Sequence, residues 1–72
     1  MTNSQIEAVR GVIYEAPEGR YIHGEHYDAL PADVRTAVEA ICKPYFFVPA
    51  QADSYLWSLD HETELLNVLG YS

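Results

Sequence analysis

The chain has one cysteine, few positive charges and no long apolar run, and each shortage excludes a class of protein. A single cysteine cannot form a disulfide within the chain, which excludes a disulfide-stapled scaffold and favours a reducing compartment. No run approaches the roughly 18 apolar residues of a membrane span, and the first residues do not have the pattern of a signal peptide. We therefore predict a cytoplasmic protein without a membrane partner.

Positive charge is scarce, because four Lys and Arg residues face eleven Asp and Glu residues, for a net charge of −7 on 72 residues. Residues 44–72 carry four of the acids and no Lys or Arg. Such a chain does not bind nucleic acid directly, since phosphates require Lys and Arg. It is attracted instead to a basic protein surface, including one that normally holds nucleic acid. The simpler alternative is that the acidity only maintains solubility.

The chain is also short, which predicts a single domain over residues 1–72. A chain of this length buries only about 60% of the surface that its unfolded form exposes. Its core rarely supplies more than roughly 3–5 kcal/mol of net stability. Because disulfides are excluded, the fold depends on an efficient core, a metal or association with another chain.

Two interpretations are open for residues 4–15. Ser4 and Glu7 have the spacing of a capping box, which predicts a helix. The β-branched and aromatic residues that follow, and a proline-glycine turn after them, predict a hairpin instead. We favour the hairpin, with residues around 10–16 pairing with those around 20–27.

A central helix is predicted between Pro31 and Pro44, since proline suits the first turn of a helix and stops its end. Its apolar stripe consists of Val34, Ala37, Val38 and Ile41.

One or two further strands follow the central helix. Residues 45–48 have the pattern of a buried strand ended by Pro49, and residues 50–54 that of a loop or one helical turn. Residues 55–59 alternate as in a short strand, although a helix over residues 50–58 is nearly as good.

A last helix is predicted with Asp60 as its N-cap, Gly70 as its left-handed terminator and Tyr71 packing back on the final turn. The element order is that of a small α+β domain, with an N-terminal hairpin, a central helix and a C-terminal helix. The alternative is an all-α domain, if residues 4–15 and 50–58 are both helical.

The sequence HGEH contains the histidines His23 and His26, which invite a metal site. Two histidines three apart share a metal on one helical face, but a regular strand places them on opposite faces unless a bulge occurs at Gly24. Cys42 and His61 could add ligands, yet their spacing matches no familiar zinc pattern. We predict no metal and no other cofactor, and keep a metal-binding protein using His23 and His26 as an alternative.

No motif predicts an enzyme. Cys42 lies near the end of the predicted apolar helix, where a buried thiol acts as a small hydrophobe rather than a nucleophile. The glycines form no phosphate-binding pattern, and so short a chain has little room for a substrate pocket of roughly 300 Å³. We therefore predict no catalytic residues.

Nine aromatic residues exceed what so small a core buries, and six of them are tyrosines, which are enriched at protein interfaces. The richest aromatic stretch ends at Trp57, directly before an acidic cluster. We predict that a partner binds there, with Trp57 as a core residue being the alternative. The predicted partner-binding residues are Asp53, Tyr55, Trp57, Asp60, Glu62 and Glu64.

In its size, its acidity and its lack of a catalytic motif, the chain resembles the small acidic proteins that phages and mobile elements make against host machinery, anti-CRISPR proteins among them. The resemblance involves no shared motif, so it assigns a role to no residue. It implies a protein-binding inhibitor or adaptor that occludes a basic surface of a partner complex by mimicking nucleic-acid phosphates or covering the residues that bind them. The alternative is a self-associating regulatory protein, such as an antitoxin or a transcriptional anti-activator, with its core completed in a homodimer.

Overall fold

In a computed structural model, residues 1–44, 48–51 and 54–71 are described, and they form helices packed on an antiparallel sheet. The predicted α+β class is confirmed, and the all-α alternative is wrong. The helices are α1 (Asn3–Arg10), α2 (Gly24–Asp28), α3 (Ala32–Ile41) and α4 (Thr63–Val68), with a 3₁₀ turn (Leu59–His61) before α4. The strands are β1 (Tyr14–Ala16), β2 (Gly19–His23), β3 (Val48–Gln51) and β4 (Ser54–Ser58).

The four strands lie in the order β1-β2-β4-β3, and each neighbouring pair is antiparallel. β1 and β2 form the predicted hairpin, with Tyr14 opposite Tyr21. Pro49 lies within the edge strand β3, where a missing backbone N–H is tolerated, so the prediction that it ends a strand is wrong. Residues 45–47, predicted to begin that strand, lie outside the described residues.

Helix α1 precedes the hairpin, so both interpretations of residues 4–15 are partly right. Its N-cap is Thr2, two residues before the predicted cap Ser4. The Gln5 backbone N–H donates to Thr2 Oγ1 at 3.2 Å, and the Thr2 N–H donates to Gln5 Oε1 at 2.9 Å. Each side chain therefore satisfies a backbone donor that the first turn leaves free. The helix ends at Arg10 with Gly11 as its C-cap, and the β-branched residues that follow lead into β1.

Helix α3 confirms the predicted central helix. Pro31 is its N-cap residue, and the buried residues of its stripe are Val34 and Val38. The helix ends at Ile41, and its C-cap Cys42 donates its N–H to the carbonyl of Val38 at 3.0 Å.

Helix α4 begins after Glu62, so Asp60 is not its N-cap. The 3₁₀ turn occupies the position at which we predicted the first helical turn, because the Glu62 N–H donates to the carbonyl of Leu59 at 2.8 Å. The predicted end of the helix is confirmed. Gly70 has a φ of +89°, and the N–H of Tyr71 donates to the carbonyl of Leu66 at 2.9 Å, as in a Schellman motif.

The core lies on one side of the sheet and receives residues from every helix. Ile22 of β2 and Trp57 of β4 are directly opposite each other and are 0% and 1% exposed. The other core residues are Val9, Tyr27, Leu30, Val34, Val38, Leu59, Leu65 and Leu69.

Candidate protein-binding surface

The side of the sheet opposite the core carries aromatic side chains. Successive residues of a strand point to opposite sides, so the neighbours of the buried Ile22 in β2, Tyr21 and His23, point away from the core. Tyr14 of β1 is paired with Tyr21 and lies on the same side, where it is 51% exposed. We call Tyr14, Tyr21 and His23 the open face.

Helix α2 brings a fourth ring to the open face. The predicted strand ends at His23, and the next residues turn into a helix that places the ring of His26 edge-on against that of His23, with centroids 5.4 Å apart. The ring centroids of Tyr14 and His23 lie 5.9 Å apart. With Val12 and Ile13 these rings line a shallow depression of about 380 Å³. The HGEH segment is therefore part of an aromatic surface.

The same contact bears on the metal alternative. His23 and His26 meet without a bulge at Gly24, so our reason for separating them is wrong. Within the described part of the chain, however, no group of three or more His, Cys, Asp or Glu side chains is placed to hold a metal. Zinc sites use at least three protein ligands, which two histidines do not supply.

Carboxylates lie at one end of the open face. Desolvation, Glu18 and Asp60 together raise the pKa of Tyr21. Asp60 reaches the hairpin because Gly19 has no side chain, and a Cβ there would collide with Asp60 Oδ2. Glu15, on the neighbouring strand, is paired with Arg20 at 3.0 Å. The 3₁₀ turn and the hairpin turn thus form one acidic corner, although 42 residues separate Glu18 from Asp60.

A second acidic group surrounds the thiol of Cys42. Burial and the carboxylates of Glu62, Glu39 and Glu64, in that order of effect, raise the pKa of Cys42 to about 12. Glu39 is held by the hydroxyl of the buried Tyr27, which donates to Glu39 Oε2 at 3.0 Å. The thiol is therefore a neutral group at physiological pH rather than a reactive thiolate.

The two acidic groups adjoin along the chain, because Asp60 and Glu62 are only two residues apart. We call the combined surface the acidic strip; its members are Glu18, Asp60, Glu62, Glu64 and Glu39. Glu62 is half-buried and the other four are exposed.

The arginines of the chain are engaged elsewhere. Arg10 donates to the carbonyl of Leu69 at 3.3 Å, and Arg35 donates to that of Leu30 at 3.2 Å. Arg20 forms the only ion pair among the described residues, with Glu15. The acidic strip consequently has no salt-bridge partner within the part of the chain that the structure describes.

The structure brings three of the six predicted partner-binding residues together, namely Asp60, Glu62 and Glu64. It adds Glu18 and Glu39, which we did not predict. Charge along the sequence could not indicate these two, because their proximity to the other acids depends on how the hairpin and α3 pack.

The aromatic residues predicted to bind a partner are not brought together at this surface. Trp57 is a core residue, packed edge-to-face against Tyr27 with centroids 5.6 Å apart, so it is not available to a partner and its placement in the site is wrong. The backbone of Tyr55 lies in β4, opposite Pro49. Asp53 lies outside the described residues.

Known proteins offer no guide to this surface, since no family model, no curated protein and no solved structure matches the chain. No helix among the described residues is long and apolar enough to cross a membrane. The function is therefore inferred from the surface itself.

Proposed function

We propose that this protein is a small acidic inhibitor or adaptor that binds a basic surface of a partner complex, without catalysing a reaction. The observation that supports the proposal is the acidic strip, whose five carboxylates have no salt-bridge partner among the described residues. Its action would be anti-CRISPR-like, occluding a surface that holds nucleic acid.

The strip suits this role because its charges are fixed to structured elements. Asp60 is seated against the hairpin and Glu39 is hydrogen-bonded to Tyr27. Charges held in place lose little entropy on binding and steer a basic partner into a defined orientation. Association should therefore slow markedly as salt is added.

A self-associating regulatory protein is the second candidate, and the open face is the observation that favours it. Exposed tyrosines are the side chains expected at an interface. The net charge of −7 on each copy opposes such an association, because two copies repel each other. Light scattering after gel filtration distinguishes the candidates, since an 8.1 kDa particle excludes an obligate dimer.

Charge reversal tests the proposed function. Wild type and Glu62→Lys/Glu64→Lys are compared as baits in a host-cell lysate, with duplex DNA as a competitor for any captured protein. The matched control is Glu7→Lys/Asp28→Lys, which reverses two exposed acids outside the strip. Each reversal adds two charges, so both variants carry −3.

We expect wild type and the control to capture the same partner, and the Glu62→Lys/Glu64→Lys variant to lose it. Added DNA should displace the partner from wild type. Equal losses in both variants would show that only net charge matters, and unchanged capture by the strip variant would refute the role of the strip.

A further inference from the structure

We infer that the open face is a docking site for arginine side chains on the surface of the partner protein. This inference rests on the proposed function and deepens it, because it names the contact surface and the side chains that the surface recognises. It also moves the centre of the interface from the predicted Trp57 segment to the other side of the sheet.

The open face is a row of aromatic rings on neighbouring strands. Tyr14, Tyr21 and His23 carry rings with polar tips on two paired strands, with Tyr14 51% exposed and the other two half-buried. Strands hold these rings in fixed relative positions, and His26 extends the row through its contact with His23. A rigid row of rings offers contact area at a low cost in conformational entropy.

The charge beside the open face is negative. Asp60 is seated against the hairpin at Gly19, and Asp60 and Glu18 line one depression there, so one end of the open face is bordered by carboxylates. The nearest base in sequence, Arg20, borders the same depression but is paired with Glu15 at 3.0 Å, so Glu18 and Asp60 have no salt-bridge partner among the described residues. The complementary occupant is therefore cationic. A second copy of this chain, with its own charge of −7, does not meet that requirement.

The open face suits arginine better than lysine, and the chain itself contains an example of an arginine stacked on a tyrosine ring. Arg20 and Arg10 lie over the ring of Tyr71, 4.5 and 5.3 Å from its centroid, and Arg20 simultaneously binds the carboxylate of Glu15 at 3.0 Å. A planar guanidinium stacks on a ring and donates to a carboxylate at once, which a lysine ammonium does less well. Tyr21 with Glu18 offers the same combination, and among the described residues no arginine occupies it.

Two peptides of equal charge test the inference, N-acetylated hexa-arginine amide and hexa-lysine amide, titrated into ¹⁵N- and tyrosine-¹³C-labelled protein. We expect hexa-arginine to bind about fivefold more tightly or better, from two exposed cation–π contacts. Its shifts should centre on Tyr14, Tyr21 and His23. The Tyr14→Leu/Tyr21→Leu variant should bind both peptides equally, whereas Tyr14→Phe/Tyr21→Phe should keep the preference because the rings remain.

The outcomes separate this inference from the proposed function. Equal affinity of wild type for both peptides, or shifts confined to Glu39, Glu62 and Glu64, would overturn the open face as an arginine site and leave the acidic strip intact. Broadening at Tyr14 with a doubled mass before peptide is added would show that the occupant is a second copy, which also overturns it. Should the leucine variant fail to fold, the wild type and the phenylalanine variant still decide.

Discussion

The two sides of the sheet are built from the same strands but differ in chemistry. In β2, Ile22 is fully buried, while Tyr21 and His23 on either side of it face away from the core. In β4, Trp57 faces Ile22 across the strand pair. The core side thus takes the largest apolar ring, and the open face takes rings that have polar tips. Position in the pleat, rather than aromatic content, determines which ring is available to a partner.

This division separates stability from binding. Full burial of a large apolar side chain contributes about 1.5–3 kcal/mol, and the residues that achieve it here lie on the core side. A half-exposed tyrosine contributes little to the folded state. The open face can therefore vary for binding without loss of the fold, whereas the core side cannot.

Replacing one ring on each side of the sheet gives the largest expected difference in the free energy of unfolding. Trp57→Ala should lower the free energy of unfolding by about 3–5 kcal/mol, because it leaves a large cavity beside Ile22. A core this small rarely supplies more than roughly 3–5 kcal/mol of net stability, so we expect a largely unfolded protein. Tyr14→Ala should change stability by less than about 0.5 kcal/mol.

Urea titrations followed by far-UV circular dichroism provide the measurement, since this signal comes mainly from the backbone and remains usable when the one tryptophan is removed. Equal losses in the two variants would show that the sheet does not have one buried and one open side. A folded Trp57→Ala protein with a small loss would place this ring at the surface, where we first predicted it.

The hairpin, α3 and the Gly70 cap were predictable from sequence because each depends on residues close together in the chain. A turn needs a glycine beside it, and a helix end needs its cap. The burial of Trp57 was not predictable in this way, because the side of β4 that meets the core depends on its pairing with the distant strand β2. Helix α2 was missed because Gly24 disfavours a helix locally, and its stability comes from burying Tyr27.

The same distinction, between residues that are close in sequence and residues brought together by packing, applies to the candidate site. Asp60, Glu62 and Glu64 were found because they are neighbours in sequence. Glu18 joins Asp60 only because the hairpin turn packs against the 3₁₀ turn, and no periodicity in the sequence reports that contact.

A pair of glycines tests whether the hairpin that carries the open face is held by Asp60. Gly19 has a φ of +154° and no room for a Cβ beside Asp60, so Gly19→Ala should destabilise the fold by about 1–3 kcal/mol. Gly11 has a helical φ of −67°, and a Cβ there would lie 3.4 Å from the Glu7 carbonyl oxygen. Gly11→Ala should therefore be neutral or stabilising by about 0.4–1 kcal/mol.

Thermal and urea unfolding measure the stability of both variants. The double variant Gly19→Ala/Asp60→Ala is measured in the same way. If the collision with Asp60 contributes, the double variant should recover part of the loss. Similar stability of Gly19→Ala and Gly11→Ala would mean that Asp60 is not seated on the hairpin, and that the acidic corner of the open face is not fixed.

The smallest effect concerns two titrating groups, Tyr21 on the open face and Cys42 beside the core. If each responds to its own carboxylates, Glu18→Gln should lower the pKa of Tyr21 without changing the thiol. Glu62→Gln should lower the pKa of Cys42 and so speed its reaction with a disulfide reagent at pH 9, because more thiolate is present. Glu7→Gln, outside both groups, is the control.

The raised pKa of the Cys42 thiol also determines how the free energy of unfolding changes with pH. The unfolded thiol loses its proton near its usual value of 9.0, while the folded one keeps it to about 12, so the folded state binds more protons between these limits. The free energy of unfolding should therefore fall as pH rises from about 9 to 12, and less steeply in Cys42→Ala. If Glu18→Gln speeds the reaction of Cys42 as much as Glu62→Gln does, the carboxylates act as one undivided field, and the open face has no acidic corner of its own to select a cation.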